Sequence, residues 1–329
     1  MAATPLSLVP SMQDDLLRVE TELLRVVSAE DDFLTDVASH LINAGGKRVR
    51  PGFCIAAAAV HDIDGSAASI DVIRGGCAVE LVHIGSLYHD DVMDGATTRR
   101  GVKSINAEWG NLRAILAGDY LLGRASELAA ALGTEVAGLL ATTITELCTG
   151  QILELESTYN TDRTFEAYQR SISGKTSSLL ATACRIGAIV ADIPRPTIDA
   201  LTEFGRAYGM AFQIVDDILD IIATDEQLGK PSGNDLLEGI YTLPVIYSLQ
   251  DPAVAGELRS LLRHDITIEQ RDRARELTRR GGGVELAVNM AETWAGKADA
   301  ALSGLPDTTG AKALRAAGHH LMQRLNTIR

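Results

Sequence analysis

Residues 80–101 read ELVHIGSLYHDDVMDGATTRRG, and the way this stretch passes from apolar to acidic to basic decides the fold. Helix-favouring residues run into it from about position 66 and end at Asp90-Asp91-Val92-Met93-Asp94, followed at once by Gly95. An apolar segment of that length is too long for a strand, and a polar cluster followed by glycine is a helix stop. The same reading applies outward to segments near 104–131, 133–159, 164–191 and 196–223, all rich in Ala, Leu and Ile. Towards the ends, Leu16, Leu23, Leu24 and Val27 keep the spacing of one helix face, as do Val284, Ala287, Val288 and Ala291. No series of alternating β-branched strands bounded by turns is visible. The expected fold class is all-α. Breakers at Gly45-Gly46, Gly95–Gly101, Ile193–Pro196, Gly229–Asn234 and Gly281–Gly283 read as loops, and none is long enough for an inter-domain linker. One helical domain over 1–329 is the expectation.

Composition narrows the function. With 46% hydrophobic and 22% charged residues the chain has the make-up of a well-cored globular protein. A net charge of −14 argues against nucleic acid as a partner, because that needs a basic footprint. No uninterrupted apolar run approaches the roughly 18–20 residues of a bilayer span, so no transmembrane segment is expected. Met1–Ser11 lacks the basic start of a secretory signal, and the expected compartment is cytoplasmic. Cys54, Cys77, Cys148 and Cys184 are scattered without a CxxC pair and read as buried thiols.

Two acidic motifs carry the chemistry. Asp90-Asp91-Val92-Met93-Asp94 and Asp216-Asp217-Ile218-Leu219-Asp220 are both DDxxD, one in each half of the chain, and each follows an apolar helical run. Residues i and i+4 share a helix face, so Asp90 with Asp94, and Asp216 with Asp220, can each aim two carboxylates one way. Carboxylate-only sites suit hard cations, and magnesium characteristically joins one or two carboxylates to substrate phosphates. A single DDxxD is more often a solvated helix end. A pair is harder to dismiss, since clustered like charges at the ends of apolar helices are costly without a counterion. Glu80-x-x-His83 raises a di-iron site, but that architecture needs an ExxH on each of two helices, and no other histidine has Glu three residues before it.

Cations flank these motifs. Gly46-Lys47-Arg48-Val49-Arg50-Pro51 offers three after a glycine turn, Arg99-Arg100 two more, and Lys175 and Lys230 follow later. Guanidinium forks match phosphate oxygens bidentately and lysine adds a point charge.

Seven ordered blocks now stand out: GGKRVRP (45–51), ELVHIGSLYHDDVMDGATTRRG (80–101), LAGDYLL (116–122), GQ (150–151), GKTSSL (174–179), FQIVDDILD (212–220) and GKPSGNDLLEGIYTLP (229–244). In them the chain resembles the trans-isoprenyl (polyprenyl) diphosphate synthases over nearly its whole length. The resemblance implies a bundle of long helices around a deep central cavity, usually a homodimer, that joins isopentenyl diphosphate to an allylic diphosphate. It implies magnesium, three ions per active site, with Asp90, Asp94 and Asp216 as main ligands and Asp91, Asp217 and Asp220 assisting. Lys47, Arg50, His83 and Arg100 would hold isopentenyl diphosphate. Arg99, Lys175, Gln213 and Lys230 would contact the allylic diphosphate, with Thr176 facing the developing cation. One departure is Ile240, where many relatives carry a lysine before TLP.

Product length should follow cavity depth. Ser86 and Gly85, four and five residues before Asp90, occupy positions where short-chain members often carry an aromatic residue. With Val82, Val79 and Ala78 behind them, small side chains would line roughly 12–18 Å of helix. Tyr88 should point elsewhere, while Tyr120 or Leu121 could form a floor. The expected product is a medium- or long-chain all-trans polyprenyl diphosphate, the alternatives being a farnesyl or geranylgeranyl diphosphate synthase or a non-catalytic subunit of a heteromeric synthase. A terpene cyclase fits less well, since aromatics are only 4% of residues and Asn234-Asp235 is followed by Glu238 and Thr242 where its second metal motif needs Ser/Thr and Glu.

Overall fold

The computed structural model describes residues 5–62, 65–228 and 231–328. Its helices are α1 (Met12–Val27), α2 (Asp32–Asn43), α3 (Val49–Ala58), α4 (Ile70–Met93), α5 (Ile105–Trp109), α6 (Asn111–Ala131), α7 (Thr134–Glu156), α8 (Phe165–Ile172), α9 (Ser178–Val190) and α10 (Arg195–Ile222). They continue as α11 (Asp225–Leu228), α12 (Asn234–Glu238), α13 (Leu243–Ser248), α14 (Ala255–Leu261), α15 (Ile268–Arg280), α16 (Gly283–Ala301) and α17 (Thr309–Ile328). The all-α expectation holds apart from one small ribbon, β1 (Thr98–Arg99) paired antiparallel with β2 (Val102–Lys103). Its two central residues, Arg100 and Gly101, have φ of 54° and 79°, the positive values a type I′ hairpin turn requires.

The chain divides into two compact units. The first comprises Met1–Ile144, Leu179–Thr202 and Gly304–Ala316. At its centre is α4, where burial falls on every face (Ile73, Cys77, Val79, Leu81, Ile84 and Tyr88 among others) because α3, α1 and α6 all pack on it. Ser69 caps its start by accepting from the Val72 N–H at 3.3 Å. Two glycines let neighbours close in: a Cβ at Gly187 would lie 2.1 Å from the Cys54 carbonyl oxygen, and one at Gly75 2.6 Å from Ile186 Cγ2. The segment read as one helix near 104–131 is broken at Gly110 (φ 89°), which separates α5 from α6.

The second unit comprises Thr145–Ser178, Glu203–Ser303 and Ala317–Arg329. Its core includes Phe204, Ile214, Ile218, Leu243, Val245 and Leu277. Thr267 and Gln270 form a reciprocal capping box at the start of α15. Between α8 and α9 the chain makes a π-helical turn at Ser173–Ser177. There Gly174 lies backbone to backbone against Gly150 of α7, and a Cβ at Gly174 would stand 2.4 Å from the Glu146 carbonyl oxygen.

The cysteines are free, with Cys54, Cys77 and Cys184 buried as expected but Cys148 exposed, because its helix turns that face to solvent. Helix α7 does not overturn the expectation of no transmembrane segment. Although no residue run is wholly apolar, Thr134–Glu156 is the one helix among the described residues long and apolar enough to cross a membrane, with a mean hydropathy of 1.3 over its window. The tight Gly150–Gly174 approach and the Lys175–Glu154 ion pair engage it in protein packing instead.

Candidate active site

In the first unit, the glycine turn before α3 and the hairpin after α4 build a cationic cavity of about 340 Å³ lined by Gly46, Lys47, Arg48, Arg50, Glu80, His83 and Arg100, among others. Lys47, Arg50, His83 and Arg100 are thus brought together, the four residues expected for isopentenyl diphosphate. Arg48 and Arg100 both hold left-handed backbone (φ 45° and 54°), a costly conformation for arginine that persists only where surroundings enforce it. For Arg100 the enforcing contacts are hydrogen bonds to the Leu41 and Gly45 carbonyls. Gly46 leaves room for both guanidiniums, since a Cβ there would sit 3.0 Å from Nη1 of each.

Arg50 Nε is buried and has no hydrogen-bond partner in the protein. A buried N–H left without an acceptor is expensive, so a cavity that keeps one suits an anion. Burial, with repulsion from Arg100, pulls the Arg50 guanidinium below its usual range, against attraction by Glu80. His83 is held neutral by burial first and then by Arg50, Arg100, Arg99 and Arg48. A neutral imidazole can still donate one hydrogen bond to a phosphate oxygen.

The first acidic motif ends α4. Asp90 is half-buried and Asp94 exposed, and the Asp94 N–H bonds the Asp90 carbonyl at 2.8 Å as the last helical turn closes. Asp91 faces inward, fully buried, and Arg99 clamps its Oδ1 through Nε (2.8 Å) and Nη2 (2.5 Å). Burial raises the Asp91 carboxyl while Arg99 opposes that rise. Asn106 fixes the turn beyond by donating to the Asp91 and Ala96 carbonyls, both at 2.9 Å.

Gly85 lies where α4 meets α6: a Cβ there would be 3.1 Å from the Gly118 carbonyl oxygen and 3.5 Å from Leu121 Cβ. Ser86 is half-buried and donates to the His83 carbonyl at 2.8 Å. Tyr88 turns to α2, donating to the Val37 carbonyl at 2.9 Å, and Tyr120 reaches the Val27 carbonyl at 3.3 Å.

In the second unit, Thr176, Gln213 and Asp217 form a chain. Thr176 Oγ1 donates to Gln213 Oε1 (2.7 Å), Gln213 Nε2 donates to Asp217 Oδ1 (2.9 Å), and Tyr168 donates to Asp217 Oδ2 (2.6 Å). Burial pushes the Asp217 carboxyl up to about 7, against the pull of Tyr168 and Gln213. Asp216 is half-buried and Asp220 only 3% exposed. Lys175 Nζ meets Glu154 Oε1 at 2.5 Å. Lys230 lies outside the described residues. Just past Asp220, Arg275 and Arg279 donate to the Ile221 carbonyl and cover the negative end of α10.

Among the described residues no three His, Cys, Asp or Glu side chains already converge as a metal cluster. The donor chemistry still fits magnesium, which keeps waters and needs only one or two carboxylates beside substrate phosphates. Of the motif aspartates, Asp94 is exposed and Asp90 and Asp216 are half-buried, while Asp91, Asp217 and Asp220 are buried. The sequence does not single out Arg48, Tyr168, Glu154 or Asn106 as site residues. Their only signal is position, one or two helical turns from a motif residue or inside a motif block.

A family profile described as Polyprenyl synthetase matches residues 31–278. The chain is 40% identical over 296 residues to heptaprenyl diphosphate synthase component 2 of Geobacillus stearothermophilus, covering 90% of this chain and 91% of that one. It is 38% identical over 309 residues to nonaprenyl diphosphate synthase of Mycobacterium tuberculosis, covering 93% and 91%. The crystal structure of geranylgeranyl pyrophosphate synthase from Corynebacterium glutamicum, complexed with calcium and isoprenyl diphosphate, superposes with a TM-score of 0.84 at 40% identity, covering 97% and 98%. The chain belongs to the polyprenyl synthetase family. It is accordingly a prenyltransferase with the helical isoprenoid-synthase fold, an enzyme of the polyprenyl diphosphate synthase class.

Proposed function

We propose that the chain extends an allylic diphosphate by repeated addition of isopentenyl diphosphate, giving an all-trans product longer than geranylgeranyl diphosphate. The observation that carries this reading is the cationic cavity with its unsatisfied Arg50 Nε, built against the same helix whose end carries Asp90 and Asp94. Lys47, Arg50, His83 and Arg100 bind the diphosphate of isopentenyl diphosphate by charge and by N–H donation. Magnesium, three ions per site, would be held by Asp90, Asp94 and Asp216, and when bound it neutralises charge on the departing diphosphate. Asp91 and Asp217, each bonded inward, orient their neighbours, and Asp220 assists from the same helix. Thr176 would face the developing allylic cation, while Arg99, Lys175, Gln213 and Lys230 would contact the allylic diphosphate. No nucleophilic serine or cysteine is needed: the allylic C–O bond ionises as diphosphate leaves, the isopentenyl double bond attacks the resulting cation in a site that keeps water out, and the adduct loses a proton to the released diphosphate.

The small residues before Asp90 support a long product. Because Gly85 abuts the α6 backbone, Ser86 is the better place to shorten it: Ser86→Phe should give shorter products, and an unchanged distribution would count against this face of α4 lining the tunnel. Exposed Leu112, Ile115 and Leu116 on α6 support a homodimer, and the same reading takes 1–329 as one domain in the cytoplasm. Sedimentation should give twice the 35.0 kDa chain mass. The name of the Geobacillus relative includes "component 2", so a heteromer is the competing reading. A purified chain inert until a second polypeptide is added would establish it.

A further inference from the structure

The geometry points to Glu80 as the positioning residue of the cationic cavity, a buried counter-charge that keeps its arginines in register for the incoming diphosphate. This inference rests on the proposed isopentenyl diphosphate site and adds a residue that does not itself contact the substrate's carbon skeleton.

Glu80 is 2% exposed, on the central helix α4, and lines the cavity. Arg48, 4% exposed, uses its donors inside the protein. Nε and Nη2 clasp Glu20 at 2.6 and 2.9 Å, Nη2 also meets the Ile42 carbonyl at 3.0 Å, and Nη1 meets Glu80 Oε1 at 3.0 Å. Arg48 therefore belongs to the frame and not to the anion site, although it shares a motif with Lys47 and Arg50. The same Glu80 oxygen lies 4.0 Å from Arg100 Nη2, and its charge opposes the burial that drives down the Arg50 and Arg100 guanidiniums.

The cavity thus brings three guanidiniums around one carboxylate. Without that carboxylate they repel one another across a part-buried space, where charges are poorly screened. With it, Arg48 is locked, and Arg100 is drawn toward the position from which its carbonyl contacts hold it. Arg50 keeps its charge and its unpartnered Nε for the ligand. A net positive surplus remains after Glu20 and Glu80 are counted, which is what a diphosphate needs.

The test compares E80Q, which keeps shape and removes charge, with E80D, which keeps charge and draws it back by one methylene. In steady-state assays E80Q should raise KM for isopentenyl diphosphate about tenfold, the scale of a lost charge-assisted contact. KM for the allylic diphosphate and kcat should move less than about twofold. E80D should fall between wild type and E80Q, and it carries the test alone if E80Q does not fold. Calorimetric titration with inorganic diphosphate should show the same order of affinities without any turnover. KM values unchanged in both variants, or raised in parallel for both substrates, would overturn the assignment. Lys47→Ala separates this from the underlying reading. If K47A raises the isopentenyl KM and the Glu80 variants do not, only the role of Glu80 fails. If K47A also leaves that KM alone, the cavity is not the isopentenyl diphosphate site and both fall.

Discussion

The two DDxxD motifs carry the same letters and are built in different ways. Helix α4 stops at the first, so Asp94 is exposed, Asp90 half-buried, and a hairpin returns Arg99 to seize Asp91. Helix α10 runs through the second, so Asp217 and Asp220 are both 3% exposed, and Tyr168 and Gln213 occupy both oxygens of Asp217. What the motifs share is a division of labour: the leading aspartate is accessible and the one after it is turned inward. Asp217, with both oxygens taken by fixed donors, is a poor candidate for a direct metal ligand, whereas Asp91 is bonded through Oδ1 alone and keeps a buried Oδ2 without a partner. Each is a good anchor for the turn that aims its neighbour.

That division can be broken most sharply at the leading positions. Asp90→Ala and Asp216→Ala should each lower kcat by about 10²–10³, the range for removing one element of leaving-group stabilisation. Asp91→Asn and Asp217→Asn should cost clearly less under saturating magnesium. Equal losses at the leading and middle positions would erase the distinction. Next in size is Gly150→Ala, whose new methyl would lie 2.5 Å from the Lys175 backbone nitrogen. Overpacking there should cost about 1–3 kcal/mol in denaturant unfolding.

A pH experiment sharpens the contrast from another side. The folded Asp217 carboxyl titrates near 7, above its ordinary range, because it is buried. Between about pH 4 and 7 the unfolded chain has lost this proton while the folded chain keeps it, so this group's contribution to stability falls as pH rises through that window. With chelator present, Asp217→Asn should match or trail wild type in Tm at pH 5 and gain on it by pH 7.5. A difference independent of pH would remove the buried-carboxylate account. The smallest effect expected is at Tyr168→Phe, which removes one donor from Asp217. It should cost about 1–2 kcal/mol of stability and shift the Asp217-linked pH dependence further upward.

Much of this is legible in the sequence. Helix periodicity and glycine breaks locate α4, α7 and α10 within a few residues, because long amphipathic or apolar segments leave few alternatives, while α6 is read with α5 as one helix. The cationic residues 47, 50, 83 and 100 do share one cavity, as their motif blocks imply. What the letters do not convey is direction. Lys47, Arg48 and Arg50 look alike in GGKRVRP, yet only the fold shows Arg48 turned into Glu20 and Glu80. Glu80 itself is legible only as half of an ExxH pattern. Likewise Gly85 reads as a gap in a tunnel wall, and a Cβ there would stand 3.1 Å from the Gly118 carbonyl oxygen. Side-chain orientation in these cases is set by contacts distant in sequence, such as Glu20 with Arg48, which no local pattern encodes.

The most direct test incubates the purified chain with farnesyl diphosphate, isopentenyl diphosphate and magnesium and reads product length by mass spectrometry. The account predicts products longer than geranylgeranyl diphosphate that disappear when the metal is chelated. Products stopping at geranylgeranyl diphosphate, or elongation that persists without divalent metal, would contradict it.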